Sequence, residues 1–180
     1  MTAILNWNNL DLNKINFSSS GSVVSYTVDK KRYPLVIMVD NLSMPFGIND
    51  TALKTNIKFK INGFKFTEFL HSLDEKIKSL RFISNNLEYR PLLKKFNNDY
   101  FFLATIGKTR NIEYSIDYGD KNNKDEGGEE EVTELEFLRN NKATDIKIRA
   151  VFNIKYIWIK NNCYGITLTV SDLTIYKEKK

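Results

Sequence analysis

The residues of this chain best suited to chemistry are cations set beside large rings. Lys147, Arg149 and Lys155 lie in the stretch DIKIRAVFNIKYIWIK, which also carries Tyr156 and Trp158. Lys58 and Lys60 occupy a second stretch of the same style, KTNIKFKI. Ammonium and guanidinium groups neutralise phosphates, and flat rings stack on unpaired bases, so cations interleaved with aromatics on a curved surface suit a single-stranded nucleic acid. The same residues fit a plainer arrangement, in which Lys and Arg solvate the outer face of a sheet and the rings fill its core. Both arrangements require strands, and the face each side chain takes decides its role.

The strands that would position these groups are legible. Asp145 to Tyr176 reads as two long strands joined by a polar turn at Asn161 and Asn162, because asparagine tolerates left-handed backbone. In the first strand Ile146, Ile148, Ala150, Phe152 and Ile154 share one face, and Lys147, Arg149, Val151, Asn153 and Lys155 the other. This period of two marks a half-buried antiparallel strand. Gly165 opens the second strand, where Ile166, Leu168 and Val170 alternate with Thr167, Thr169 and Ser171. Ile157, Ile159, Leu173 and Ile175 then put apolar groups on the nominally polar face, so the register drifts. Bulges that re-aim side chains in a curled sheet or closed barrel produce such a switch.

Upstream, Lys54–Ile61 alternates with Ile57, Phe59 and Ile61 inward and Asn56, Lys58 and Lys60 outward. Val23–Val28, Tyr33–Val39, Asp99–Gly107 and Asn111–Tyr118 read as further strands, and Thr133–Leu138 as a brief one. The continuous apolar run Tyr33–Val39 predicts burial on both faces. DNLSMPFGIND reads as a turn cluster, in which Met44 and Phe46 either fold back onto the core or stand as an exposed contact point. Apolar residues recur at spacings of three and four from Phe66 to Ile83, predicting a helix with Thr67 as N-cap and Glu68 in its first turn. Leu87–Phe96, with Pro91 near its start, reads as a second short helix. Residues 1–20 read as an arm anchored by apolar side chains, with Trp7 on the core rather than on a base.

The 180 residues carry a net charge of +5, unevenly spread. From Gly119 to Glu136, eight acids and two lysines sum to −6, which leaves +11 on the remainder. Such a body attracts polyanions, and the acidic loop, too charged and glycine-rich to bury anything and read as disordered, competes with them. The length fits a single domain over 1–180. The lone Cys163 excludes an intramolecular disulfide and points to a reducing intracellular compartment. No signal-peptide pattern opens the sequence, and no apolar run is long enough to span a membrane, so no membrane partner is expected.

Signatures of enzymes are missing. No HExxH, CxxC or glycine-rich dinucleotide turn occurs, and GKTR (residues 107–110) lacks the upstream glycine and lysine–hydroxyl spacing of a phosphate loop. His71 reads as solvent-facing, without a nucleophile elbow to complete a triad. The acidic loop lacks the ligand spacing of an EF-hand. A non-enzymatic protein without metal or cofactor is the expectation.

The order of elements suits an OB-fold-like five-stranded Greek-key barrel, mainly β, with a helical insertion and extra N-terminal strands. The final hairpin resembles that of single-stranded-DNA-binding proteins of short-tailed phages, and more closely their relatives in large nucleocytoplasmic DNA viruses. The shared pattern is a basic strand (here Lys147 and Arg149), a tyrosine and a tryptophan before a polar turn (Tyr156 and Trp158), and a glycine opening the last strand (Gly165). MPFGI, Met44 to Ile48, and the helix Phe66–Ile83 resemble features of the viral group. The resemblance implies sequence-independent binding of single-stranded DNA, with RNA as an alternative strand, in replication, recombination or repair. Lys58, Lys60, Lys147, Arg149 and Lys155 would meet phosphates, and Tyr156 and Trp158 would stack, although Trp158 also fits a core position. The implied setting is the host cytoplasm or nucleus, with replication proteins as partners and a homodimer left open. The phage proteins end in an acidic tail, whereas this chain ends in KEKK. The internal acidic loop either substitutes for that tail or is a solvated insertion.

Overall fold

The computed structural model describes residues 4–20, 23–46, 48–50, 55–80, 83, 86–106, 113–117 and 143–176. The acidic loop, GKTR, the brief strand expected at 133–138 and the basic C-terminal tail lie outside the described residues. Among the described residues, twelve strands form one sheet: β1 (Ile4–Asn6), β2 (Ile15–Phe17), β3 (Val24–Val28), β4 (Lys31–Met44), β5 (Ile48–Asp50), β6 (Thr55–Ile61), β7 (Glu88–Arg90), β8 (Leu93–Phe96), β9 (Asp99–Ile106), β10 (Glu113–Asp117), β11 (Ala143–Lys160) and β12 (Cys163–Tyr176). One helix of the described residues, α1 (Phe64–Lys78), falls between β6 and β7. It is not long and apolar enough to cross a membrane.

Five of these strands close a ring in the order β4-β11-β12-β9-β6, sealed where Leu42 pairs with Ile61 and Ser43 with Lys60. This is the expected OB-like barrel, a sheet that leaves its central strands no free edge. The β11–β12 hairpin turns at Asn161 and Asn162, whose φ angles of 51° and 57° are those of a type I′ turn. The register slips between Val151 and Phe152 and again between Ile154 and Ile157, the drift that Ile157 and Leu173 announce. Strand β6 alternates without a fault, buried at Thr55, Ile57, Phe59 and Ile61 and half-open at Asn56, Lys58 and Lys60. Outside the ring, β1 pairs with β4 in parallel, and β3 extends the sheet from β4 to β2.

The interior is built on Phe59, Phe102 and Phe152, whose ring centroids lie 5.3–5.4 Å apart. Phe66 of α1 plugs one end, 5.9 Å from Phe102, and Trp7 packs edge-on against Phe66 at 5.1 Å. Trp7 is thus the core anchor the sequence suggests. The arm it belongs to is not extended throughout, because Trp7–Asn9 and Leu12–Lys14 are single 3-10 turns capped by Asn6 and Asp11.

Three expectations need correction. The helix starts at Phe64 with Gly63 as N-cap, so Glu68 falls beyond the first turn. Thr67 does not cap; it is buried, and its hydroxyl donates to the Gly63 carbonyl at 3.2 Å. The helix ends at Lys78, and Ile83 is buried outside it. Leu87–Phe96 is not helical but forms β7 and β8, because its backbone groups are claimed by β12 and β9. The turn expected from Asp40 begins later: β4 runs on to Met44, absorbing Asn41 at φ 59°. Of the two apolar residues in that cluster, Met44 is buried and Phe46 stands exposed.

Candidate nucleic-acid interface

Register places a row of small polar side chains across four neighbouring strands. Asn153 of β11 pairs with Thr169 of β12, Thr169 with Thr105 of β9, and Thr105 with Asn56 of β6. All four are half-buried and lie on the face opposite the core residues Phe152, Leu168, Ala104 and Ile57. One step along, Lys58 pairs with Leu103, and Thr167 lies opposite the bulge that holds Lys155 and Tyr156. Most of this row floors a cleft of about 650 Å³, lined also by Arg90, Leu92, Lys94, Lys155, Tyr156, Trp158 and Lys160.

The aromatic wall depends on the hairpin. The bulge at Ile154–Ile157 turns both Lys155 and Tyr156 outward, and Tyr156 is 51% exposed. Trp158 pairs with Gly165 across the hairpin. A Cβ at Gly165 would stand 2.7 Å from the indole and 2.9 Å from the Arg90 carbonyl. Glycine is therefore needed for the indole to lie against the sheet while its edge lines the cleft. Trp158 is half-buried rather than a core residue: it packs on Gly165 of β12 and lines the cleft.

The opposite wall, Arg90 to Lys94, is held from behind. Asp74 of α1 is 6% exposed and accepts the amides of Leu92 and Leu93 at 2.9 and 3.0 Å, together with the Tyr89 hydroxyl. Burial, and then the hydrogen bond to Asp74, push the Tyr89 phenol far above its ordinary ionisation range. A carboxylate inside a helix thereby fixes a segment with almost no strand length of its own. Its sequence signal is an acid on an apolar helical face, between Leu70 and Leu73 on one side and Ile77 on the other.

The seven cations and rings expected from the sequence divide between two places. Lys155, Tyr156 and Trp158 line the cleft, and Lys58 and Lys60 lie on β6 beside it. Lys60 Nζ is paired with Asp99 at 2.8 Å. Lys147 and Arg149 stand further down β11, the latter roughly 30 Å of strand from Trp158. There Arg149 pairs with Asp40, and its guanidinium lies 5.4 Å from the Tyr176 ring. Lys160 of β11 lines the cleft too, and Arg90 and Lys94 do so without having been expected, since β7 and β8 reach it only through pairing with distant strands. Among the described residues no cluster of His, Cys, Asp and Glu is arranged to hold a metal ion.

No family model and no curated protein matches the sequence. Among solved structures the chain is similar to the single-stranded DNA-binding protein from bacteriophage Enc34, determined as a C-terminal truncation. The match has a TM-score of 0.50 at 11% identity, and covers 89% of this chain and 91% of that one. At that identity the likeness is one of fold, and it agrees with the closed five-stranded ring in giving this chain an OB-like architecture.

Proposed function

We propose that this protein binds single-stranded DNA with little regard for sequence, as a non-enzymatic component of viral DNA replication, recombination or repair. The observation that carries the reading is the cleft: a polar floor crossing β12, β9 and β6, walled by Tyr156 and Trp158 and rimmed by Lys94, Lys155 and Lys160. Lysines meet the phosphates, the rings stack on bases, and the Asn and Thr side chains tolerate any base edge. The face made by the second and third barrel strands, here β6 and β9, is where OB folds take oligonucleotides. The name of the Enc34 protein specifies the same ligand.

Lys147 and Arg149 contribute less on this reading, as an outlying basic patch. The finer assignment, to the large nucleocytoplasmic DNA viruses, rests on the hairpin pattern and MPFGI. Under it the protein works in the host cytoplasm or nucleus, and residues 119–136 contact replication proteins.

Fluorescence polarisation with labelled oligo-dT, competed by duplex DNA and by RNA of equal length at two salt concentrations, tests the proposal. A single-strand preference that persists at the higher salt supports a stacking cleft. Equal competition by duplex, vanishing with salt, reduces the surface to a general polyanion attractor and favours a protein partner.

A further inference from the structure

Beside the cleft, on the far side of Leu103, three phenylalanines gather round one ammonium. Lys58 Nζ lies 4.7 Å from the ring centroid of Phe46, 4.7 Å from that of Phe101 and 5.7 Å from that of Phe96. Phe101 is buried, but Phe46 is 57% and Phe96 60% exposed. Two large rings left in water side by side need a reason, since apolar area in contact with water is unfavourable. Phe46 follows the end of β4 and Phe96 ends β8, so two separate segments deliver a ring to the same spot.

Both rings flank one atom, so their centroids stand at most about 10 Å apart, the two distances laid end to end. A flat base in contact with a ring on each side needs about 7 Å, twice the usual contact distance. The space is occupied by a lysine, the side chain most easily moved from it: long, flexible and at home in water.

We propose that Phe46 and Phe96 clamp one unpaired base, and that the Lys58 ammonium holds the place until the base displaces it and then pairs with the neighbouring phosphate. The inference rests on the single-stranded DNA reading and extends the site past the cleft. Lys58 Nζ has a partner in both states, the ring faces before binding and a phosphate after it. Stacking on a base outweighs an exposed cation–π contact, so the exchange runs toward the bound form. The clamp is continuous with the cleft through Leu103, which pairs with Lys58, and through Lys94, which pairs with Phe101.

The test uses oligo-dT carrying 5-iodo-deoxyuridine at one position at a time. Ultraviolet crosslinking is followed by peptide mapping, alongside polarisation binding of Phe46→Ala, Phe96→Ala, Phe46→Leu, Phe46→Trp and Lys58→Met. The expected result is a crosslink to Phe46 or Phe96 from a narrow set of positions. Phe46→Ala and Phe96→Ala should bind about 5- to 150-fold more weakly, from the usual strength of one stacked base. Phe46→Trp should keep affinity and Phe46→Leu should not, because leucine preserves the apolar contact with Phe101 without offering a flat face. Lys58→Met should lower the slope of log affinity against log salt by about 0.7, one phosphate contact on a single strand. Wild-type protein that binds oligo-dT while both alanine variants bind equally well, with crosslinks confined to Tyr156 and Trp158, overturns the clamp alone. Wild-type protein that does not prefer single strands overturns the clamp together with the function it rests on.

Discussion

Strand β11 sets basic and aromatic side chains near both of its ends. Toward Ala143 they are Lys147 and Arg149, with Tyr176 opposite on β12; toward the turn they are Lys155 and Lys160, with Tyr156 and Trp158. At the first end Arg149 is engaged by Asp40 and lies against the Tyr176 ring. At the second end, among the described residues, Lys155 and Lys160 make no ion pair, and the rings border a polar floor. Alternation assigns a side chain to a face. What that face does depends on which strand lies next to it, and Asp40 is 109 positions from Arg149 in the chain.

The sharpest test of this contrast removes both rings at the turn. Tyr156→Ala with Trp158→Ala should cost about 2–6 kcal/mol of oligo-dT affinity, two stacked bases at their usual strength. The matched pair at the other end, Arg149→Ala with Tyr176→Ala, should leave affinity nearly unchanged in the same polarisation assay, because the Arg149 guanidinium is already engaged by Asp40. Equal losses at the two ends would erase the distinction. Gly165→Val should mimic the turn-end loss by displacing the indole, with the protein still folded by circular dichroism.

The cleft end also depends on α1, through Asp74. Asp74→Ala leaves the amides of Leu92 and Leu93 without their acceptor and should lower stability by about 2–4 kcal/mol in urea denaturation. Residual oligo-dT binding by the folded fraction should fall, because Arg90 and Lys94 lose their backing. A variant as stable as the parent would show that β7 and β8 hold themselves in place.

Charge should separate the ends more gently. Lys155→Met should reduce the slope of log affinity against log salt by about 0.7, the share of one single-strand phosphate, and Arg149→Met should leave it unchanged. A shared reduction would bring the outlying patch into the binding surface.

The smallest effect concerns the latch behind the cleft. Tyr89 is held protonated above its ordinary 10.0 by burial and by Asp74, so in alkali the unfolded chain releases this proton first. The stability Tyr89 contributes is therefore complete below pH 10 and drains away as pH climbs above it. Burial shifts Tyr164 in the same direction, whereas Lys76, lowered from 10.5 by burial against the attraction of Asp11, acts with the opposite sign below that value. Tyr89→Phe should flatten the fall in melting temperature above pH 10; an unaltered profile would assign the alkaline loss elsewhere.

Much of this architecture is legible where one strand carries its own evidence. The alternation of β6, the Asn161–Asn162 turn and the face-switching at Ile157 each state their structure locally, because period and turn chemistry are properties of short segments. The segment from Leu87 to Phe96 is different. Leu92 and Leu93 side by side obscure a period of two, and Pro91 reads equally as a helix opener or a strand break. Its state is set by Asp74 and by parallel pairing with residues 163–165, neither of which leaves a mark nearby. The start of α1 is hidden for a related reason: Thr67 has the right chemistry for a cap but is buried. For the site, composition identifies the rings and cations of the hairpin, but the convergence of Phe46, Lys58 and Phe96 depends on the closure of the barrel.

Strand β12 bears on how the molecule comes into being. One of its edges pairs with β11 throughout, and the other receives β7, β9 and β10 in succession, all in parallel. It supplies Thr167, Thr169 and the glycine beneath Trp158, yet it is the last strand of the twelve to be synthesised. A ribosome that has produced everything through Lys160 therefore carries a chain with both walls encoded and the β12 part of the floor, Thr167 and Thr169, still missing. Pairings of such long separation form slowly. A nascent chain should thus be unable to capture a strand of nucleic acid until β12 has emerged and inserted, so competence arrives in a single step with that one strand.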